Sequence, residues 1–130
     1  MKINELENIP TPTARRLPGY DPQHPLHTTW SRLISRQKYQ AARDGKTYNI
    51  PLDLAWAIIV KQEWACALSG QKFTPGGTRV NTQPSLDRIN SSLGYEPGNI
   101  QYVTYRVNLT KRELSDNDFI TLCKQVAAYR

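Results

Sequence analysis

The residues with the chemistry of a functional site are grouped in one short segment of the chain. Asp87 and Arg88 end a predicted strand, and Asn99 opens the next strand after a returning loop. Asn108 and Lys111 follow in a short predicted helix. A carboxylate and an amide carbonyl are hard oxygen ligands, which suit one Mg²⁺ or Mn²⁺ that keeps positions open for phosphate and water. We therefore expect a divalent-metal site on the face where these elements meet.

Two helices are predicted ahead of this segment, and the first of them is strongly basic. Apolar residues at helical spacing predict one helix from about Thr28 to a stop at residues 44–45, and a second from Leu52 to about Trp64. Because its positive charge is so concentrated, the first helix suits the phosphate backbone of DNA as well as it suits a solvated face. The basic residues within it are Arg32, Arg36, Lys38 and Arg43.

Two β-rich stretches and two further helices complete the predicted domain. Residues 84–90 and 100–105 predict paired strands, and residues 107–113 predict a short helix. Ser115 and Asp118 predict the cap of a last helix with an apolar stripe. The order of these elements predicts an α+β fold.

The composition limits the class of protein. The chain has 130 residues, which predicts a single domain. Its 17 Lys and Arg against 11 Asp and Glu give a net charge of +6, and nucleic acid is the partner that such a charge most often implies. No apolar run is long enough to span a membrane, and the first residues lack the apolar segment of a secretory signal. We expect a cytoplasmic protein with no membrane partner.

Residues 1–26 are predicted to form an extended arm ahead of a domain at residues 27–130. Proline removes backbone donors and blocks helix, and this stretch is rich in it. The arm is either a loosely packed tail or a carrier of Arg15 and Arg16 to a phosphate or to a partner subunit. Its prolines are Pro10, Pro12, Pro18, Pro22 and Pro25.

The ordered set of polar residues resembles the HNH endonucleases (ββα-metal or His-Me finger nucleases), in particular their small phage-type members. In that family an Asp-His pair ends the first strand, an Asn opens the second, and an Asn or His follows on the helix. The resemblance covers residues 52 to about 125. Its motifs are Cys66-Ala-Leu-Ser-Gly70, Ser85-Leu-Asp-Arg-Ile-Asn90, Gly94-Tyr95, Gly98-Asn99 and Asn108-Leu-Thr-Lys111.

The resemblance implies a ββα-metal finger, which is a two-stranded hairpin plus a helix, supported by additional helices. It implies that Asp87 and Asn108 hold one Mg²⁺ or Mn²⁺, and that Asn99 braces the loop and orients the catalytic position. It also implies that Lys111 makes a phosphate or a structural contact. The residues expected to bind nucleic acid are the four basic residues of the first helix and, further along the chain, Arg106, Lys111 and Arg112.

The sequence departs from the family pattern at the general base. Arg88 stands where the family has its histidine, and an arginine cannot take a proton at neutral pH. Arg88 could instead hold the scissile phosphate. The attacking water would then need another base. His24 and His27 are the only histidines in the sequence, and either could serve as that base. Alternatively, the water would lose its proton to solvent or to a substrate phosphate.

The sequence also departs from the family members that carry structural zinc. Only Cys66 remains of the first cysteine pair, with Ser69 in the second position, and Cys123 is alone. We therefore expect no structural zinc. Cys66 and Cys123 are interpreted as small buried hydrophobes. Packing of Trp64, Leu68, Phe73 and the last helix would take the place of the metal.

Together with the resemblance, these observations predict a metal-dependent endonuclease that nicks or cuts duplex DNA, in the cytoplasm of a bacterial host cell if the chain is phage-encoded. One alternative is an inactive HNH scaffold retained as a DNA-binding module, because Arg88 replaced the base. Another is a phage accessory protein that binds a host protein. The sequence leaves the target site, the choice between DNA and RNA, and the oligomeric state open.

Overall fold

A two-stranded antiparallel hairpin lies at the centre of the molecule, and helices surround it. The computed structural model describes residues 21–75 and 81–130. The α+β class is confirmed for these ranges, which hold four helices and one hairpin. In chain order the elements are α1 (His27–Arg43), α2 (Leu52–Lys61), β1 (Pro84–Arg88), β2 (Ile100–Thr104), α3 (Tyr105–Lys111) and α4 (Asp116–Tyr129).

The hairpin pairs β1 with β2 in a single register, from Pro84 opposite Thr104 to Arg88 opposite Ile100. All five residues of β2 are buried, so this strand is covered on both faces. β2 runs directly into α3, because the Thr104 hydroxyl accepts a hydrogen bond from the backbone N–H of Val107 at 3.2 Å and caps the helix. The direct junction fixes α3 against the end of the hairpin.

Aromatic side chains from α1, α2 and β2 form the centre of the core. The rings of Trp30 and Trp56 meet edge to face at 5.0 Å, and Trp56 and Trp64 meet in the same way at 5.3 Å. The indole N–H of Trp30 donates to the Tyr102 hydroxyl at 3.3 Å, which satisfies two buried polar groups. No helix in the described part of the chain has the length and apolar character needed to cross a membrane.

The start of α1 differs from the prediction. The N-cap is Leu26 rather than Thr28 or Thr29, and Leu26 packs in the core. The His24 ring stacks on Trp64 at 4.0 Å between centroids, so residues 24 and 26 of the predicted arm pack against the domain. Residues 1–20, including Arg15 and Arg16, lie outside the described residues.

The end of α2 also differs from the prediction, because the helix stops at Lys61 rather than near Trp64. Glu63 and Trp64 both adopt left-handed backbone conformations with φ of 56°. This reversal ends the helix and turns the Trp64 ring back onto Trp56. The packing of that ring favours a conformation that neither residue prefers locally.

The last helix has the predicted cap but not the predicted packing. The Ser115 hydroxyl accepts from the backbone N–H of Asp118 at 3.1 Å, as expected for an N-cap. Phe119 is buried against the domain, whereas every residue from 120 to 130 is exposed. The expectation that Cys123 is buried was therefore wrong, whereas Cys66 is buried as expected. An apolar stripe at helical spacing predicts the same helix whether or not anything covers it.

Candidate functional site

A small polar cavity lies at the end of the hairpin, where β1, α3 and α1 meet. Its volume is about 180 Å³. Asp87 and Arg88 reach it from β1, Asn108 reaches it from α3, and Arg112 follows α3. We call it the site cavity, and its remaining lining residues are Gln37, Gln40, Leu86, Ser91 and Tyr95. The structure thus brings four of the sequence-predicted site residues together.

Asp87 is a buried carboxylate, and one of its two oxygens is already hydrogen-bonded within the protein. Its Oδ2 accepts from Lys111 Nζ at 2.8 Å and from Gln101 Nε2 at 2.9 Å. Gln101 stands directly opposite Asp87 in the hairpin register, which explains why its amide reaches the carboxylate. Within residues 21–75 and 81–130, Asp87 Oδ1 accepts no hydrogen bond and remains available.

Lys111 is inside the protein rather than on a surface that nucleic acid could reach. It is 1% exposed, and its Nζ lies 2.8 Å from Asp87 Oδ2 and 3.1 Å from Asp116 Oδ1. It also donates to the backbone carbonyl of Arg88 at 3.2 Å. Of its two expected roles the structural contact is observed. The expectation of direct nucleic-acid contact is wrong, because a lysine with every donor paired and no exposed surface cannot meet a phosphate.

Sequence reasoning missed two members of this buried network. Gln101 was seen only as a strand residue and Asp116 was not noticed, although Gln101 Nε2 bonds both Asp116 carboxylate oxygens at 3.1 Å. The only available signal was the general rule that a buried charge needs a partner. That rule could not be applied, because nothing in the sequence marks Lys111 as buried.

Asn108 lies within α3 and is not its N-cap, which is Thr104. Its Nδ2 donates to the Ser85 hydroxyl at 2.7 Å and to the Leu86 carbonyl at 3.2 Å. These bonds fix the amide against β1. They leave its carbonyl oxygen without a donor among the described residues, on the side chain that lines the site cavity.

Arg88 is held by the loop that follows β1 and forms no ion pair with its neighbour Asp87. Its NH1 donates to the backbone carbonyls of Ser91 at 2.8 Å and Leu93 at 3.0 Å, and its guanidinium lies 5.3 Å from the Tyr95 ring centre. Burial raises the pKa of Tyr95, and the nearby Arg88 opposes this shift in part. The phenol therefore stays protonated at neutral pH and is not a base.

Asn99 fixes the loop between the strands and does not line the site cavity. Its Nδ2 donates to the carbonyls of Asn90 at 3.1 Å and Gly94 at 2.8 Å, and its Oδ1 accepts from the Asn90 N–H at 2.9 Å. A buried amide with three loop bonds acts through the loop that it holds. Its contacts are those of a positioning residue, because it touches none of the groups in the cavity.

The cavity offers two oxygen ligands for a metal, and a cation already lies close to one of them. Asp87 Oδ1 and the Asn108 carbonyl have the hard-oxygen chemistry that Mg²⁺ and Mn²⁺ prefer. Such a site would need water or substrate oxygens for its other positions. No group of three or more His, Cys, Asp or Glu residues that could hold a metal occurs in the described ranges. Asp87 and Asn108 could therefore supply at most two ligands to a divalent ion.

Both histidines lie in the aromatic core and neither lines the site cavity. His24 stacks on Trp64, and His27 lies 5.6 Å from Trp30 and 5.8 Å from Trp56 between ring centres. The alternative that one of them serves as the base thus requires it to leave this packing.

Three arginines of α1 lie along the flank of the helix that borders the site cavity. Arg32, Arg36 and Arg43 follow one another at helical spacing, and Gln40 on the same flank lines the cavity. Arg43 is bonded to the neighbouring carboxylate of Asp44 at 3.0 Å. Among the other basic residues expected to bind nucleic acid, Lys38 lies on the opposite flank and Arg106 is exposed on α3.

Arg112 occupies a strained backbone position at the mouth of the site cavity. Its φ of 52° and ψ of −116° lie in a region that side chains other than glycine rarely adopt. Its side chain is exposed and lines both the site cavity and an adjoining cavity of about 570 Å³. The strain places a guanidinium where the two cavities join.

No protein-family model, no curated protein and no solved structure matches this chain.

Proposed function

We propose that this protein binds duplex DNA and hydrolyses a phosphodiester bond at the site cavity with the help of one divalent metal ion. One observation carries the proposal: the free oxygens of Asp87 and Asn108 belong to residues that line one polar cavity together with Arg88 and Arg112. Two oxygen ligands beside two guanidinium groups suit a metal and the phosphate that it acts on. The hairpin and α3 supply these residues in the order expected of a ββα-metal finger.

The chain's own residues account for most of the work. Arg88 and Arg112 would bind the phosphate, and Lys111 holds Asp87 in place. A Mg²⁺ or Mn²⁺ bound at Asp87 and Asn108 would supply positive charge for the leaving 3′ oxygen and polarise the phosphate. Because neither histidine lines the cavity, the attacking water would release its proton to solvent or to a substrate phosphate oxygen.

The flank of α1 beside the cavity supports duplex DNA as the substrate. Arg32 and Arg36 are exposed on that flank, next to the cavity-lining Gln40. Cations spaced along a helix can follow the phosphates of one strand away from the scissile bond. This arrangement supplies affinity that does not depend on base sequence.

Relaxation of supercoiled plasmid with Mg²⁺ and with Mn²⁺ tests the proposal. Asp87→Asn should abolish metal-dependent nicking, because it removes the charge from the metal ligand. Asp116→Asn is the matched control: it removes the other carboxylate that contacts Lys111 but does not line the site cavity. Equal loss of nicking in both variants would assign Asp87 to stability alone and contradict the metal site.

A DNA-binding module without hydrolytic activity is the second candidate. The Lys111 ammonium lies 2.8 Å from Asp87 Oδ2 and already neutralises the carboxylate that a metal would need. If the wild-type protein shifts the plasmid in a gel but never nicks it with either metal, this reading replaces the first. A protein with no affinity for nucleic acid even at low salt would exclude both and favour a host-protein partner.

A further inference from the structure

The last helix carries an apolar face that nothing in the described structure covers. From Phe119 onward its apolar residues recur at spacings of three, four and three, which is the pattern of a coiled-coil seam. Phe119 is buried against the domain, whereas Leu122 is 47%, Val126 57% and Tyr129 88% exposed. Because all residues from 120 to 130 are exposed, this part of α4 is open to a partner on every side.

The charges on α4 favour an antiparallel copy of the same helix as that partner. The first turn carries Asp116 and Asp118, and the other end carries Arg130. The Asp116 carboxylate is bonded to Lys111 and Gln101, so it is Asp118 of one helix that antiparallel pairing brings beside Arg130 of the other. Antiparallel pairing also aligns the two helix dipoles favourably, the positive end of each beside the negative end of the other. A parallel pair would place like charges side by side at both ends.

The seam spacing also selects one register for such a pair. In an antiparallel seam, Leu122 of one copy packs on Val126 of the other, and Tyr129 covers the edge of Phe119. This register brings the exposed Cys123 of each copy next to the two-fold axis. The pairing is self-complementary, as a closed two-fold dimer requires.

We propose that α4 is a dimerisation helix, and that two copies of this chain pair antiparallel through Leu122, Val126 and Tyr129. The proposal does not depend on the proposed nuclease activity. A helix of 14 residues is about 21 Å long, so the pair buries less surface than a standard stable interface. We therefore expect a weak dimer, and the test covers the micromolar range.

Sedimentation of the full chain over a range of concentrations tests the pairing. The wild type should pass from monomer to dimer as the concentration rises. Leu122→Lys and Val126→Lys should each weaken dimerisation by about tenfold or more, because each buries an unpaired charge in the seam. Thr121→Lys adds the same charge on the outer face of α4, where it stays in solvent, and should leave the equilibrium within about threefold of wild type.

Oxidative cross-linking tests the register. Copper–phenanthroline in air should join two copies through Cys123, and the product should persist in Cys66→Ala and disappear in Cys123→Ser. A thiol moved to the outer face, in the double variant Cys123→Ser/Thr121→Cys, should cross-link at least about tenfold more slowly, because that face points away from the axis.

Three results would overturn the proposal. A chain that stays monomeric at the highest soluble concentration has no such interface. A dimer that survives both seam variants, or that cross-links equally through residue 121, uses another surface. A monomer whose melting temperature falls in Leu122→Lys but not in Thr121→Lys would assign the face to a contact within the chain.

Discussion

The position of a single ammonium group decides how the site cavity is built. Lys111 was expected near a phosphate, yet it is buried between the carboxylates of Asp87 and Asp116. The Lys111 ammonium, the two carboxylates and the Gln101 amide form one network. The network holds Asp87 through Oδ2, and Oδ1 accepts no hydrogen bond from the described residues.

Removing the ammonium should therefore destabilise the domain strongly. We expect Lys111→Met to lower the free energy of unfolding by roughly 3 kcal/mol, because it leaves Asp87 buried without its counter-charge. The double variant Lys111→Met/Asp87→Leu should recover most of that loss, since it removes the fully buried pair and leaves only Asp116, whose side chain is partly exposed. Urea denaturation of the three proteins measures this, and a double variant less stable than the single one would contradict the explanation.

Tyr48 gives the domain a pH dependence on the alkaline side. Burial raises the pKa of Tyr48 to about 12, whereas an unfolded tyrosine titrates near 10. The unfolded chain therefore loses this proton first. The free energy of unfolding should keep its full value below pH 10 and should fall as the pH rises toward 12. Tyr102 contributes in the same direction, because burial in the core raises its pKa as well.

The variant Tyr48→Phe separates the contribution of Tyr48 to the pH dependence from that of Tyr102. The Tyr48 hydroxyl is buried and has no hydrogen-bond partner among the described residues, so removing it should stabilise the protein at pH 8 by roughly 1 kcal/mol. The variant should also lose less stability than wild type between pH 8 and pH 11 in urea denaturation. Equal losses in the two proteins would show that Tyr48 does not titrate with unfolding.

At the scale of elements, the sequence predicts what local spacing controls. The apolar periodicity of α1 and the β-rich composition of residues 100–105 placed these elements within a few residues. The end of α2 could not be predicted, because Glu63 and Trp64 take left-handed conformations that only the packing of the Trp64 ring makes favourable. The exposure of α4 could not be predicted either, because an amphipathic helix has the same sequence pattern with or without a partner.

Arg112, in the short connection after α3, is expected to lower the stability of the fold while it contributes to DNA binding. A glycine adopts φ 52° and ψ −116° without strain, so Arg112→Gly should raise the free energy of unfolding by about 0.5–1 kcal/mol. The same change removes a guanidinium from the site cavity and should weaken binding to a short DNA duplex. Arg106→Gly, within α3, should instead lower stability by about 1 kcal/mol, since it places glycine inside a helix.

At the scale of the whole molecule, the net charge of +6 predicted a nucleic-acid partner but not where it would bind. The structure groups part of that charge: Arg32 and Arg36 on one flank of α1 beside the site cavity, with Arg112 at the cavity mouth. Of the five residues predicted to share one face, Asp87, Arg88 and Asn108 line the cavity, whereas Asn99 and Lys111 do not. The sequence could not show which cations face solvent, because exposure depends on the packing of the entire chain.

DNA affinity should therefore depend steeply on salt concentration, and Arg32 and Arg36 on this flank of α1 should account for much of that dependence. In Arg32→Gln/Arg36→Gln the slope of log affinity against log salt should fall by about 2 units, since each lost phosphate contact removes about 0.9. Lys61→Gln/Lys124→Gln removes the same charge from positions that line neither cavity. Fluorescence anisotropy of a labelled duplex measures both slopes, and equal changes would argue against a localised interface.

The aromatic core gives the protein a built-in optical reporter. The chain has 3 tryptophans, and Trp30, Trp56 and Trp64 form a single cluster that does not line the site cavity. His24 lies flat on Trp64, so the emission is sensitive to whether residues near the start of α1 are docked. Intrinsic fluorescence should therefore record unfolding and local detachment of this segment through tryptophans that a ligand in the site cavity does not touch.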